Sequence, residues 1–177
     1  TSIQVPGLTE NFCGSSRPGH FDGVATVVTK LFNIVRPDAA FFGLKDYQQF
    51  LVIRKLTDDL ALEIAIHGIE TYREQSGLAM SSRNNYLSQE QREQAASLYR
   101  CLQSCAAQIQ QGNTEFQQLE AAAKKELQQA ALKPDYFQIC DAESLQAASA
   151  DTRHLAILGA VFVGKSRLID NIRLQLS

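Results

Sequence analysis

The sequence lacks the features that mark several common classes of protein. Its 177 residues carry 17 basic and 19 acidic side chains, and neither half holds the basic excess with which sequence-independent nucleic-acid binders neutralise phosphates. No apolar run approaches the roughly 20 residues of a membrane span. The first residues contain neither the basic nor the apolar stretch of a signal peptide. We therefore expect neither a nucleic acid nor a membrane as partner, and we expect a cytoplasmic location.

Cysteine and histidine, which build most transition-metal sites, are scarce. The chain has four cysteines and three histidines, and no two cysteines show C-x-x-C spacing. Cys101 and Cys105 lie four residues apart on the apolar face of a predicted helix, where thiols behave as small hydrophobic groups. We expect free thiols in a reducing compartment and no metal ion held by protein side chains.

Residues 1–87 alternate between helical and strand patterns. Apolar residues recur at helical spacing over 24–35, and the apolar run 39–42 predicts a buried strand. A second helix is predicted over 47–60, and alternation predicts a second strand over 62–67. This order is typical of a parallel α/β sheet, which usually has several strands and is covered on both faces. We therefore predict the second half of a Rossmann-like, doubly wound domain whose first half is missing.

A different pattern begins at Ser88. Ser88 with Gln91, and Thr114 with Gln117, fit the capping box, in which side chains satisfy the unpaired amides of a helix start. Gly112 suits the left-handed position that follows a helix end. These signals predict two consecutive amphipathic helices.

Three alternating segments follow the predicted helix pair. They lie over 136–141, 155–163 and 167–174. Their short connections indicate a small antiparallel sheet covered by the two helices. We accordingly predict a domain boundary near residue 87, between a partial nucleotide-binding domain at 1–87 and an α+β lid or substrate domain at 88–177.

The first candidate site is segment 43–49, which reads Gly-Leu-Lys-Asp-Tyr-Gln-Gln. It follows a predicted strand and opens a helix, the place where open α/β sheets bind ligands. The helix start offers free amides and partial positive charge, and Lys45 adds a full charge for phosphate. Asp46 can accept a hydrogen bond from a ribose hydroxyl. The alternative is an ordinary strand–helix turn with Asp46 as N-cap and Lys45 in solvent, and the sequence leaves both open.

Two further segments carry candidate chemistry. Segment 77–84, within a polar stretch over 72–85 that predicts irregular structure, reads Gly-Leu-Ala-Met-Ser-Ser-Arg-Asn. Its paired hydroxyls and arginine suit a triphosphate, although a solvated interdomain linker would read similarly. Segment 16–21 reads Ser-Arg-Pro-Gly-His-Phe, and Arg17 can contact phosphate or carboxylate. His20 precedes a helix, where a lone histidine is more often structural or exposed than catalytic.

Taken in order, these segments resemble the pantothenate synthetase (pantoate–β-alanine ligase) family over nearly the whole chain. Segment 167–171, Arg-Leu-Ile-Asp-Asn, is similar to the end of the family pattern. Members form pantoyl adenylate from pantoate and ATP with Mg²⁺ and release pyrophosphate; β-alanine then displaces AMP to give pantothenate. The resemblance implies this activity, these substrates, ATP with Mg²⁺, and a homodimer when the protein is complete.

The resemblance also implies a role for single positions. The ATP-binding residues would be Gly43, Leu44, Lys45, Asp46, Tyr72, Met80, Ser81, Ser82 and Arg83. The catalytic residues would be Lys45, Ser81, Ser82, Arg83 and Arg17. Gln49 would bind pantoate, and only the backbone of Tyr72 would face adenine. Leu44 and Ser76 stand where the family usually has acidic residues.

The family's His-x-Gly-His nucleotide motif and its first strands have no counterpart in this sequence. We expect them to lie before Thr1, because the chain does not begin with Met, and we expect the fragment alone to be inactive. Whether a cytidylate kinase follows Ser177 is open. Two other functions compete: a related nucleotidyltransferase with another acid substrate, and a non-catalytic interaction module whose surface holds the eleven glutamines of residues 89–129.

Overall fold

The structure, a computed structural model, describes residues 1–176. The chain divides into two compact units, Thr1–Glu70 and Thr71–Ser177. The first is α/β and the second is α+β, in agreement with the predicted fold class. The predicted boundary near residue 87 falls inside the second unit and stays a prediction about how the chain folds.

The first unit contains a two-stranded parallel sheet. Its elements are α1 (Cys13–Ser16), α2 (His20–Val35), β1 (Ala39–Gly43), a 3₁₀ turn (Leu44–Asp46), α3 (Tyr47–Asp59) and β2 (Ala65–Ile69). The two strands pair in parallel from Ala39 opposite Ala65 to Gly43 opposite Ile69. The predicted helix–strand–helix–strand order and the parallel pairing are confirmed.

Strand β2 begins later than the alternation of residues 62–67 predicts. The amide of Leu62 donates to the carbonyl of Thr57 at 2.9 Å, and Ile64 donates to Leu62 at 2.9 Å. Residues 62–64 therefore close the turn after α3 and cannot pair with β1. The ladder starts at Ala65, whose amide donates to Asp38 at 3.0 Å.

The prediction that the apolar run 39–42 forms a buried strand is only partly correct. Helix α3 contacts both strands, and its core residues Leu51, Val52 and Ile53 are at most 1% exposed. Phe41 of β1, in contrast, is 65% exposed. A run of apolar residues predicts a strand that is covered on both faces, but no residue of β1 is fully buried.

The second unit is a three-stranded antiparallel sheet packed against two helices. Its elements are a 3₁₀ helix (Ser82–Tyr86), α4 (Gln89–Gln110), α5 (Phe116–Gln129), β3 (Lys133–Asp141), β4 (His154–Val163) and β5 (Ser166–Gln175). The strand order is β3-β4-β5, so β4 is central and almost wholly buried. Leu102 and Leu127 of the helices and Phe137 and Ile157 of the sheet are fully buried in one core. The predicted helix pair over an antiparallel sheet is confirmed.

The capping predictions have different outcomes. Gln91 donates its amide to Ser88 Oγ at 3.2 Å and accepts from the Ser88 amide at 3.0 Å, so the first capping box is confirmed. Gly112 has φ of 95° just beyond α4, as predicted. The second box is wrong, because α5 begins at Phe116 rather than after Thr114. Asn113 Oδ1 instead accepts from the amide of Glu115 at 2.9 Å, a local turn that pre-empts the Thr114 cap.

All four cysteines are buried, and none forms a disulfide within the described chain. Cys101 donates to the carbonyl of Ala123 at 3.6 Å, which joins α4 to α5. These contacts agree with thiols that act as small core groups. No helix within residues 1–176 is both long enough and apolar enough to cross a bilayer.

Candidate functional site

The junction of β1 and α3 carries five of the predicted site residues. Gly43 ends β1, the turn Leu44–Asp46 follows, and Gln49 lies in the first turn of α3. Asp46 is exposed, whereas Lys45 and Gln49 are half-buried. Within residues 1–176, the Asp46 side chain makes no capping bond to α3. The Asp46 carboxylate therefore does not accept a hydrogen bond from the amides at the start of α3. Amides at a helix start can bind an anion.

Leu44 has a different role from its neighbours. Its side chain is only 4% exposed, and a Cβ added to Gly68 of β2 would lie 2.5 Å from Leu44 Cδ2. Leu44 thus packs against the strand pair, and Gly68 leaves the space for it. An acidic side chain placed the same way would be buried, which explains why an apolar residue at this position fits here.

Arg17 and His20 lie together in the first unit. Arg17 Nη1 is 3.1 Å from His20 Nε2; Arg17 directly follows α1, and His20 is the first residue of α2. They line a cavity of about 280 Å³ together with Glu10, Gly19 and Asp22. The cavity holds charges of both signs, and the sequence reasoning did not link His20 to Arg17.

The second unit carries the remaining site residues in a short ordered loop. Met80 donates its amide to the carbonyl of Tyr72 at 2.9 Å, which brings these two predicted residues side by side. Ser81 caps the 3₁₀ helix by accepting the amide of Arg83 at 3.3 Å. Ser82 and Arg83 are exposed, and their polar groups face solvent rather than the core.

The prediction that residues 72–85 are irregular is confirmed apart from an isolated β-bridge and the 3₁₀ helix Ser82–Tyr86, but the alternative of a solvated linker is wrong. Leu78 and Ala79 are at most 6% exposed, and Ala79 forms a β-bridge with Arg73. Asn84 is 3% exposed and donates to Glu74 Oε1 at 2.8 Å and to the carbonyl of Ala79 at 3.1 Å. A solvated linker would make no such contacts. The partners are close in sequence, but polar composition alone does not reveal a fixed loop.

Each of the two segments by itself offers groups that can bind a polyanion. The first gives a glycine backbone, a helix start and Lys45; the second gives two hydroxyls and the guanidinium of Arg83. Small hydroxyls donate single hydrogen bonds to phosphate oxygens, and a guanidinium donates paired ones.

Comparison with known proteins identifies the family of this chain. The family model of pantoate-beta-alanine ligase matches residues 1–173. Pantothenate synthetase from Idiomarina loihiensis is 56% identical over 98% of this chain and 61% of its own length. The relative from Alteromonas mediterranea is 52% identical over 98% of this chain and 62% of its own length.

Solved structures give the same result. The crystal structure of pantothenate synthetase from Thermus thermophilus has a TM-score of 0.92 and 41% identity, covering 97% of this chain and 63% of that one. Pantoate-beta-alanine ligase from Francisella tularensis, complexed with beta-gamma ATP and beta-alanine, has a TM-score of 0.72 and 31% identity, covering 97% and 57%. The chain therefore spans less than two thirds of the length of these relatives. It belongs to the pantoate-beta-alanine ligase family.

Proposed function

We propose that this chain carries part of the active site of an ATP-dependent ligase that joins pantoate to β-alanine through pantoyl adenylate. The observation that carries the proposal is the family match over residues 1–173, which includes both candidate segments, 43–49 and 77–84. The Francisella tularensis neighbour, complexed with beta-gamma ATP and beta-alanine, supports two of these substrates, ATP and β-alanine.

In the first step, a carboxylate oxygen of pantoate attacks the α-phosphorus of ATP. A new oxygen–phosphorus bond forms as the bond to pyrophosphate breaks. Lys45 and Arg83 stabilise the negative charge on the phosphates, and the hydroxyls of Ser81 and Ser82 donate to non-bridging oxygens. Their contribution to the rate is largest where charge increases in the transition state, on the departing pyrophosphate.

In the second step, the amine of β-alanine attacks the acyl carbon of the adenylate, AMP leaves, and the nitrogen loses a proton. Gln49 holds pantoate through its amide, which can donate and accept at once. Gly43 and the backbones of Leu44 and Tyr72 contact the nucleoside in this proposal. Asp46 contacts the ribose, and Met80 lies beside the phosphates. Arg17 acts near the reaction centre.

Several finer points belong to this proposal. Mg²⁺ would accompany the triphosphate and offset its charge; among residues 1–176, no group of three or more His, Cys, Asp or Glu side chains lies together as a metal cage. A homodimer and a cytoplasmic location stay predictions from the family resemblance and from the sequence.

The test is pantoate-dependent pyrophosphate release with ATP, measured on the chain alone and on the chain joined to the part of the Idiomarina loihiensis relative that it does not match. We expect turnover for the joined protein and none for the chain alone. Pantoate labelled with heavy oxygen in its carboxylate should transfer one labelled oxygen to AMP, because the adenylate forms through that atom.

The same assay separates the two competing functions. Adenylation of another acid in preference to pantoate would indicate a related nucleotidyltransferase. If the joined protein releases no pyrophosphate with any acid, and ATP leaves its thermal unfolding unchanged, the chain is a non-catalytic module and the proposal is wrong.

A further inference from the structure

The loop that carries Ser81, Ser82 and Arg83 emerges from a narrow hairpin. Arg73 and Ala79 are bridge partners in this hairpin, and the amide of Glu74 donates to the carbonyl of Leu78 at 2.8 Å. The turn contains Gly77, whose φ of 89° favours glycine. Because Met80 directly follows the returning side, the position of the hairpin decides where the phosphate-binding loop begins.

Arg73 fastens this hairpin to two other elements of the second unit. Its Nη1 and Nη2 donate to Asp170 Oδ2 at 2.6 Å and Oδ1 at 2.9 Å, a paired contact with β5. Nη1 also donates to the carbonyl of Gly77 at 3.1 Å, and Arg73 Cζ lies 3.5 Å from the centre of the Tyr99 ring on α4. One guanidinium thus joins both sides of the hairpin to the sheet and to a helix.

Asp170 belongs to the terminal segment Arg-Leu-Ile-Asp-Asn, which the proposed chemistry does not use. It is 4% exposed and lies opposite Gly159 in the central strand β4. A carboxylate in such a place is costly unless it is paired, and a buried pair often adds less stability than apolar side chains would. The two parallel hydrogen bonds between a guanidinium and a carboxylate do, however, fix the relative orientation of the two side chains.

The far end of the loop is held as well. The side chain of Asn84 contacts Glu74 and Ala79 of the hairpin, and the backbone amide of Asn84 donates to the carbonyl of Ser81 at 3.0 Å. Ser82 and Arg83, between these fixed ends, are exposed. Exposed groups are not held by core packing, so their positions depend on the ends of the segment that carries them.

We propose that Arg73 and Asp170 are positioning residues for the phosphate-binding loop 80–83. Their ion pair ties the hairpin to β5 and thereby places Arg83 for the departing pyrophosphate. The inference rests on the proposed function for its catalytic part, whereas the restraint of the loop stands on the contacts of the second unit alone. It assigns a role to the terminal segment, since Asp170 lies 97 positions along the chain from its partner Arg73.

The restraint is tested first, by amide hydrogen exchange in the 177-residue chain. Arg73→Ala should speed exchange at the Met80 and Asn84 amides by about tenfold or more, while the Ile157 amide in β4 keeps its rate. Arg73→Lys, which keeps the charge but loses the fork and the ring contact, should give a smaller increase. Arg167→Ala is the matched control, since it removes a β5–β3 ion pair with Asp135 that does not touch the loop.

The catalytic part is tested by adenylation rates in the joined protein, using Arg73→Ala with and without Arg83→Ala. If Arg73 acts through Arg83, the single substitution Arg73→Ala should lower kcat by about 10- to 100-fold, with a smaller change in KM for ATP. When Arg83 has already been replaced by alanine, adding Arg73→Ala should lower kcat by less than about threefold. Asp170→Asn should follow the same pattern more mildly. Arg167→Ala should leave kcat unchanged.

Each outcome decides one part. An equal fold-loss from Arg73→Ala in both backgrounds, or exchange that rises equally in β4, would show a general structural role and overturn the proposal. Unchanged exchange at Met80 and Asn84 would overturn it too, because the pair would not hold the loop. If the unmutated joined protein releases no pyrophosphate, the proposed function fails, and the exchange data still decide whether the pair restrains the loop.

Discussion

Gln48 and Gln49 are neighbours in the first turn of α3, yet Gln48 is buried and Gln49 is only half-buried. Gln48 is 6% exposed; its Oε1 accepts from the Cys13 amide at 3.1 Å, and its Nε2 donates to the carbonyls of Leu8 and Asn11, each at 2.8 Å. Gln49 is half-buried at the same helix end. Gln48 therefore fastens the N-terminal segment to α3, which leaves Gln49 as the glutamine of this pair that we assign to substrate.

Replacing each glutamine by alanine should separate folding from binding. Gln48→Ala leaves three backbone groups without this partner, two of them in buried hydrogen bonds, so we expect the free energy of unfolding to fall by about 1–3 kcal/mol in urea titrations. Gln49→Ala should leave unfolding unchanged and weaken pantoate binding in the joined protein by about 0.5–1.5 kcal/mol, with ATP affinity unaffected. Calorimetric titration with each substrate measures this. Equal loss of both ligands would contradict the assignment of Gln49.

Arg83→Ala should slow adenylation by about 10²–10³-fold, the usual effect of removing one preorganised electrostatic donor. The loss should fall mainly on kcat, because the pyrophosphate gains charge as it leaves. Single-turnover measurement of pyrophosphate release checks this. Arg100→Ala on α4 is the matched control, since it removes the same charge from a side chain whose described contact is Ser97 Oγ at 2.7 Å. A near-normal rate for Arg83→Ala would reject the role.

Lys45→Ala should behave differently from Arg83→Ala. A lysine beside the helix start attracts the phosphates in the ground state as well as in the transition state, so its removal should raise the dissociation constant for ATP as well as lower the rate. Equilibrium binding of a non-hydrolysable ATP analogue to the joined protein measures the first effect. An unchanged dissociation constant would restrict Lys45 to the transition state.

The sequence predicts best where the partners are close along the chain. Ser88 and Gln91 are three positions apart, and the capping box follows directly from their residue types. Thr114 fails as a cap because Asn113, one residue earlier, forms a competing local turn. Polar segment 72–85 is fixed by Arg73 and the distant Asp170, and no periodic pattern links two residues so far apart. The sequence therefore identifies the candidate site residues, but it does not identify the long-range contacts that fix their positions.

The buried thiols make stability depend on alkaline pH. Burial raises the pKa of Cys101, Cys105 and Cys140 to about 12 each. In the unfolded chain a thiol ionises with a pKa of about 8.5. Between about pH 8.5 and 12, the unfolded state therefore binds fewer protons than the folded state, and the free energy of unfolding falls as pH rises.

Urea unfolding at about pH 7 and about pH 10, on either side of the unfolded thiol pKa, measures this dependence. Lysine and tyrosine also titrate in that range, so the control is the Cys101→Ala, Cys105→Ala double variant, which should lose less stability over the same pH step. Native Cys101 should also react slowly with iodoacetamide at about pH 8, and quickly after denaturation. An equal pH dependence for both proteins would contradict the assigned cause.

Two fragments test where the autonomous C-terminal part begins. Residues 71–177 keep Arg73 beside Asp170, and they keep Leu78 and Leu87 in the core. Residues 88–177, the predicted domain, lose all three partners and leave Asp170 buried without its cation. Because an unpaired buried charge typically costs about 3–5 kcal/mol, we expect 71–177 to unfold cooperatively and 88–177 to be much less stable or unfolded. Circular dichroism during urea titration compares the two.

The variant Asp170→Asn distinguishes the two fragments. It should destabilise 71–177, where it breaks an ion pair, but stabilise 88–177, where it removes an unpaired charge. Equal stability of the two fragments would instead place the folding boundary at residue 87. The hairpin would then position loop 80–83 without stabilising the fold.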